Sequence, residues 1–228
     1  MSNIRTNRLL HELKLMTKGN GENNIFYQSD EENINKVIVM LIGPEDTPYE
    51  KGFYFFKCKY PDNYPFEPIK VKFLTTDMNT RMNPNLYQSG KVCLSILGTW
   101  SGPSWTSCQT IISVFLSIMC EIFIKEPFRN EPGMERSTIN LINRYNIYIQ
   151  HENLRLAVIK NMNYPINENF KNIILKYISD NKEKYIEYFN KIKIPNSELT
   201  TPLWNIKISN NYEQLLNIFN SKISNNNE

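Results

Sequence analysis

Cys93 is the residue of this chain whose surroundings best suit covalent chemistry. It closes the run Asn83-Pro84-Asn85-Leu86-Tyr87-Gln88-Ser89-Gly90-Lys91-Val92, inside an irregular stretch from Thr75 to Ser104 rich in Asn, Gly, Pro and Thr. Long ordered loops in compact domains usually carry function, and a cysteine outside a periodic core element is expected to be accessible. The thiolate form of such a cysteine is a nucleophile. Asn85 adds a second group: its side-chain amide could donate a hydrogen bond to the oxyanion formed at an acylated thiol. The plainer readings stand beside these, a cysteine serving as a small buried apolar side chain and an asparagine bracing a turn.

The elements that must position this loop are read from periodicity. Ile4, Leu9, Leu10, Leu13 and Leu15 recur at near-helical spacing among Arg5, Arg8, Glu12 and Lys14, which predicts an opening amphipathic helix over 3–17. Three apolar runs follow at Val37 to Ile42, Phe53 to Tyr60 and Val71 to Leu74. Short turn-forming segments, Gly43-Pro44-Glu45-Asp46-Thr47-Pro48 and Pro61 to Pro68, join them, so they read as strands of an antiparallel meander. From Ser107 to Ile124 the chain is apolar almost all round, as a buried helix is. A helical pattern then runs to about Met162, a helical tail covers 167 to 192 and ends at Pro195 and Pro202, and a last helix lies near Tyr212 to Ile223.

Composition narrows the function. With 41% hydrophobic residues, 13 Tyr, 12 Phe and 3 Trp, the chain can bury a core. The 26 basic and 23 acidic residues are interspersed, leaving a net charge of +3 and no long stripe for nucleic acid. No uncharged apolar run approaches the roughly 20 residues of a membrane span, so a soluble, unexported protein is expected, cytoplasmic and with the nucleus open to it. Cys58, Cys93, Cys108 and Cys120 form no C-x-x-C pair, and neither His11 nor His151 lies near them in sequence; no metal and no cofactor is expected.

The ordered motifs GPEDTPYEKGFYFF, YPDNYPFEPIKVKF and NPNLYQSGKVCLSIL, followed by the buried helix, closely resemble the catalytic domain of ubiquitin-conjugating enzymes over residues 3 to 150. GTWSGPSW at 98 to 105, EPFRNEPGME at 126 to 135 and YNIYIQHENLRLAV at 145 to 158 are similar to the Z-type subgroup, whose members carry C-terminal helices and are charged by a divergent activating enzyme. The resemblance implies an α+β fold with an N-terminal helix, a four-stranded antiparallel meander, a long active-site loop, a buried central helix and C-terminal helices. It implies a catalytic domain over 1–160 and a helical extension over 161–228.

It also implies roles. Cys93 forms the thioester with ubiquitin or a ubiquitin-like protein, and Asn85 is the catalytic asparagine. The family usually has His-Pro-Asn where this chain has Asn83-Pro84-Asn85, as Z-type members do. Phe66 falls in the first ligase-binding loop, and Ser107 and Cys108 in the second, where Pro-Ala is the common pair. Arg5, Arg8 and Lys14 match the face offered to the activating enzyme; a merely solvated face is as simple a reading. Partners are then the modifier, its activating enzyme, a ligase and a protein substrate, with no nucleic acid and no membrane.

A free thiol titrates near about 8.5, so a small thiolate fraction suffices against a thioester. A lysine amine, with a reference value of about 10.4, must be partly desolvated and oriented. Glu131, then Asn130, in Phe128-Arg129-Asn130-Glu131 are the candidates beside the cysteine; a carboxylate would raise the pKa of the amine, so its help is orientation or proton acceptance. Ser95 could touch the incoming lysine or satisfy backbone groups. Trp100 and Trp105 read as packing anchors. Three rivals remain: an inactive scaffold of the same fold, the related RWD interaction module, and a cysteine hydrolase recruiting His151, a residue that reads as structural.

Overall fold

The computed structural model describes residues 2–77, 79–192, 194, 198–209 and 211–225, and the chain divides into two compact units. The first comprises Met1–Gly43 and Tyr54–Ile124, the second Pro44–Phe53 and Lys125–Glu228.

In the first unit, α1 (Ser2–Lys18) buries Leu9, Glu12 and Met16 on one face and leaves Ile4, Leu10 and Leu15 exposed. Four antiparallel strands follow in sequence order: β1 (Ile25–Ser29), β2 (Lys36–Ile42), β3 (Phe53–Lys59) and β4 (Lys70–Phe73). The meander is the expected one. Its first strand, Ile25–Ser29, was not among the three apolar runs: only Ile25 of its five residues is buried, so it lacks the continuous apolar signal of β2 and β3.

The buried helix is shorter and more one-sided than its composition suggests. It starts at Ile111 as α2 (Ile111–Ser117), because Thr110 and Ser113 close a capping box there. It continues as a wider π-helical turn over Ile118–Ile122. Ile111, Val114, Phe115, Ile118 and Ile122 are buried, whereas Leu116 is 39% exposed. The sheet packs on this helix through aromatic rings, with Phe56 and Phe115 at 5.4 Å and Tyr54 and Phe123 at 4.6 Å between centroids.

A buried carboxylate ties the helices together. Glu12, 1% exposed, accepts from Arg8 Nε at 2.6 Å, from the Ile111 N–H at 3.1 Å and from the Tyr64 hydroxyl. The carboxylate thus sits at the first turn of α2, where the helix dipole favours a negative charge. Burial, reinforced by Glu12, holds the Tyr60 and Tyr64 hydroxyls well above the usual tyrosine range, which keeps them as donors.

In the second unit, a 3₁₀ turn at Pro127–Asn130 leads to α3 (Ile139–Glu152). This helix continues as π-helix through Asn153–Lys160 into the single turn α4 (Asn161–Asn163). The expected helical tail splits at Asn181 into α5 (Glu168–Asp180) and α6 (Lys182–Lys191), with the Asn167 side chain capping the first. A two-residue ladder of β5 (Leu199–Thr200) with β6 (Lys207–Ile208) precedes α7 (Tyr212–Asn225). Pro195 lies outside the described residues. Phe53, Tyr177, Tyr185, Phe189 and Phe219 form this unit's aromatic core. The Pro44–Phe53 segment is held to the helices by bonds to the Glu50, Lys51 and Phe53 carbonyls from Asn153, Tyr185 and Asn161.

Candidate active site

Asn85 and Cys93, eight residues apart in sequence, stand opposite each other across a tight hairpin. Gly90 N donates to Tyr87 O at 2.9 Å, Tyr87 N to Lys91 O at 2.9 Å and Cys93 N to Asn85 O at 2.9 Å. The Asn85 side chain adds a second link, with Nδ2 donating to the Cys93 carbonyl at 3.1 Å. Among the described residues its Oδ1 is buried without a hydrogen-bond partner. Asn83, fully buried, braces the entry: its Oδ1 accepts from Asn85 N at 2.7 Å and its Nδ2 donates to Ile122 O at 2.8 Å, at the end of the π turn.

The turn demands glycine at position 90. Gly90 has φ 88°, and a Cβ there would stand 2.6 Å from the Phe73 carbonyl oxygen. Gly90→Ala is expected to destabilise the protein by about 3 kcal/mol and lower its Tm by roughly 10 °C, read by thermal denaturation. An unchanged Tm would mean that the hairpin tolerates a side chain there.

Past the cysteine, Thr99 clamps the strand from its other side. Its Oγ1 accepts from Leu94 N at 3.0 Å and lies 2.7 Å from the Val92 carbonyl, so both neighbours of Cys93 are held by one hydroxyl. The sequence offered no spacing that singles Thr99 out. Ser95 begins the 3₁₀ turn Ser95–Leu97 and is buried against Gly102, whose added Cβ would meet Ser95 Cβ at 3.0 Å.

One expectation fails: Cys93 is not exposed. The residue is 1% accessible, because the hairpin and the Leu94–Thr99 turn enclose it on both sides. The loop around it is irregular in sequence but densely hydrogen-bonded, and lack of periodicity is no measure of exposure.

The two loops bearing the candidate ligase contacts are joined. Trp105 Nε1 donates to Pro65 O at 2.7 Å and the Trp105 ring lies 6.0 Å from that of Tyr64. Phe66 next to it is 60% exposed, and Ser107 and Cys108 are exposed too. Trp105 is thus a packing anchor as expected; Trp100, 40% exposed, is not. On α1 the cations divide. Arg5 is bonded to Pro61 O and to the Asn35 side chain, and Arg8 to Glu12 and to Gln109 O at 2.7 Å, whereas Lys14 is exposed and without an ion pair among the described residues.

Asn130 and Glu131 belong to the second unit. Asn130 ends the Pro127–Asn130 turn and Glu131 is half-buried, its N–H donating to Phe128 O at 3.3 Å. Buried Phe128 packs on Tyr145 at 5.7 Å, and Arg129 bonds Glu126 and the Glu135 carbonyl, so this loop is fixed. His151 of the same unit is buried, with Nδ1 2.8 Å from Glu152 Oε1 and Nε2 3.0 Å from Asn211 Oδ1. Both ring nitrogens are engaged, which is the satisfied structural histidine.

The α+β architecture, a helix before a four-stranded meander and a cysteine hairpin before the central helix, defines the fold of a ubiquitin-conjugating domain. Two solved structures share it: the E2 domain of a Toxoplasma gondii ubiquitin conjugating enzyme, with a TM-score of 0.54 at 25% identity over 67% of this chain and 98% of that one, and a putative Plasmodium yoelii ubiquitin conjugating enzyme, with 0.53 at 25% over 67% and 95%. The ubiquitin-conjugating enzyme family model matches residues 8–155, and the chain belongs to that family. Within it the chain is similar to the Z type, at 46% identity over 136 residues to ubiquitin-conjugating enzyme E2 Z of Homo sapiens, covering 59% of this chain and 38% of that protein. The E2 Z of Xenopus tropicalis gives 45%, with 59% and 43% covered. A probable ubiquitin-conjugating enzyme of Caenorhabditis elegans is 39% identical over 186 residues, covering 76% and 25%. The chain therefore spans between a quarter and somewhat under half of the length of these curated relatives.

Proposed function

We propose that Cys93 accepts ubiquitin, or a ubiquitin-like protein, from an activating enzyme as a thioester and passes it to a lysine amine or to a ligase. The observation that carries this reading is the double tie between Asn85 and Cys93, which sets a side-chain amide beside the sulfur-bearing residue. In the first step the Cys93 thiolate attacks the activating enzyme's thioester carbonyl, a new C–S bond forms and the old thiolate leaves. In the second an amine attacks, the C–N bond forms, the Cys93 thiolate leaves and the amine gives up its proton.

Asn85 Nδ2 idles on the Cys93 carbonyl and, by a rotation of its amide, would donate to the oxyanion of either step. Glu131, with Asn130 second, would orient the amine or accept its proton, and Ser95 would contact the lysine. Phe66, Ser107 and Cys108 form the ligase-facing surface, where the joined loops present an exposed ring beside an exposed turn. Lys14, exposed on α1 and without an ion pair among the described residues, would meet the activating enzyme, with Arg5 and Arg8 shaping the helix's seat. Residues 1–160 act as the catalytic domain, a division the family match over 8–155 supports, and 161–228 as its extension.

The reading is tested by charging. The full chain with ATP, modifier and activating enzyme, the divergent type first, should form an adduct that thiol dissolves. No adduct with any activating enzyme would leave the inactive scaffold as the better reading.

A further inference from the structure

The charges of this chain are interspersed in sequence but not in space. Lys57 of β3 stands opposite Lys72 of β4, and Lys59 opposite Lys70. Lys72 is in turn bridged to Lys91 of the cysteine hairpin. Partners across antiparallel strands share a face, so five exposed lysines lie together in two rows, Lys57, Lys72 and Lys91 in one, Lys59 and Lys70 in the other.

Like charges directly opposite each other destabilise a sheet. Among the described residues none of the five makes an ion pair that would offset this. Lysine on an edge strand guards against edge-to-edge pairing, but β3 lies inside the order β1-β2-β3-β4, so that role leaves Lys57 and Lys59 unexplained. The cluster also reaches the reacting residue. Lys91 lies two residues from Cys93 on the same hairpin, and its ammonium lies 5.4 Å from the Tyr87 ring centroid. Arg81 stands over the same ring at 4.2 Å, so Tyr87 holds two cations beside the site. Lys70 and Lys91 further share a groove of about 320 Å³ with Val92, Leu97, Thr99 and a single acid, Glu67.

We propose that this lysine face binds carboxylates of the acceptor protein, so that lysines flanked by Asp or Glu are modified in preference. The inference rests on Cys93 being the transferring residue. An extended peptide advances about 3.3–3.6 Å per residue, so acids roughly two to four positions from a lysine presented to Cys93 fall within reach of Lys91 and Lys72. The rows span only about 10 Å across three strands, and the net charge of +3 is modest; a peptide's few carboxylates match that size better than the long backbone of a nucleic acid.

The test uses the full chain and labelled peptides with one lysine flanked by Glu, or by Gln in the control. Anisotropy on the uncharged protein should show the Glu peptide binding about tenfold tighter at low salt, the gap closing as salt rises. The variant K72E/K91E replaces one repelling pair by another, so folding is kept, and it should lose the preference; K72Q/K91Q should fall between. Discharge of the thioester should follow the same order while charging stays unchanged in all three proteins. Equal binding of the two peptides overturns the proposal, as does tighter binding of an RNA oligomer or of anionic vesicles at matched salt. Failure of Cys93 to charge would instead sink the transfer reading, and the binding measurement would still decide the preference.

Discussion

Cys93→Ala is expected to abolish the modifier adduct, and Cys93→Ser to leave one that survives thiol. Serine offers the same attack through oxygen, and the oxyester so formed is not exchanged by added thiol as a thioester is. Alanine offers no nucleophile. The comparison is informative because three other thiols are present. Cys58 is fully buried in β3 and burial pushes its thiol up, so it supplies no thiolate. Cys108 and Cys120 are exposed. Paired reducing and non-reducing gels read the result, and an adduct that persists in Cys93→Ala would move the chemistry to one of those two.

Asn85→Ala should slow discharge to lysine by about 10²-fold while charging changes far less, since loss of one oxyanion donor typically costs roughly 10²–10³ in rate. The charging step starts from a thiol nucleophile and a thiol leaving group, and so depends less on help to the oxyanion than attack by an amine does. The side chain also holds the Cys93 carbonyl, and its removal loosens the hairpin. Single-turnover rates separate the two roles. If charging and discharge fall together, Asn85 is a brace for the strand rather than a donor to the transition state.

The candidate site was legible where one short segment carries it. Asn85, Gly90 and Cys93 lie on a single hairpin whose turn requires a positive φ, and a local requirement of that kind is written in the residue type. The sheet was legible for β2 and β3, whose runs are continuously apolar, and not for β1, where four of five residues are only partly buried or exposed. The π-helical stretches Ile118–Ile122 and Asn153–Lys160 were invisible because one extra residue per turn leaves the apolar pattern of a helix nearly intact. Contacts across long separations were hidden for another reason. Glu12 meets Ile111 over 99 positions, and nothing in the local pattern of an amphipathic helix announces a buried carboxylate. The lysine cluster was disguised by strand geometry, which gathers Lys57, Lys59, Lys70 and Lys72 from two K-x-K segments onto one face. Burial of Cys93 follows from hydrogen bonds to residues on either side of it, which composition does not encode.

The unequal exposure of the four cysteine thiols bears on any experiment that counts them with an alkylating reagent. Iodoacetamide should consume two equivalents quickly, at Cys108 and Cys120, and two slowly, at Cys93 and Cys58. Loss of charging should track the slow phase, measured by intact mass beside residual activity. A titration stopped after the fast phase would report a protein half blocked yet still able to charge, and inhibitors screened by total thiol consumption would be ranked by the wrong thiols.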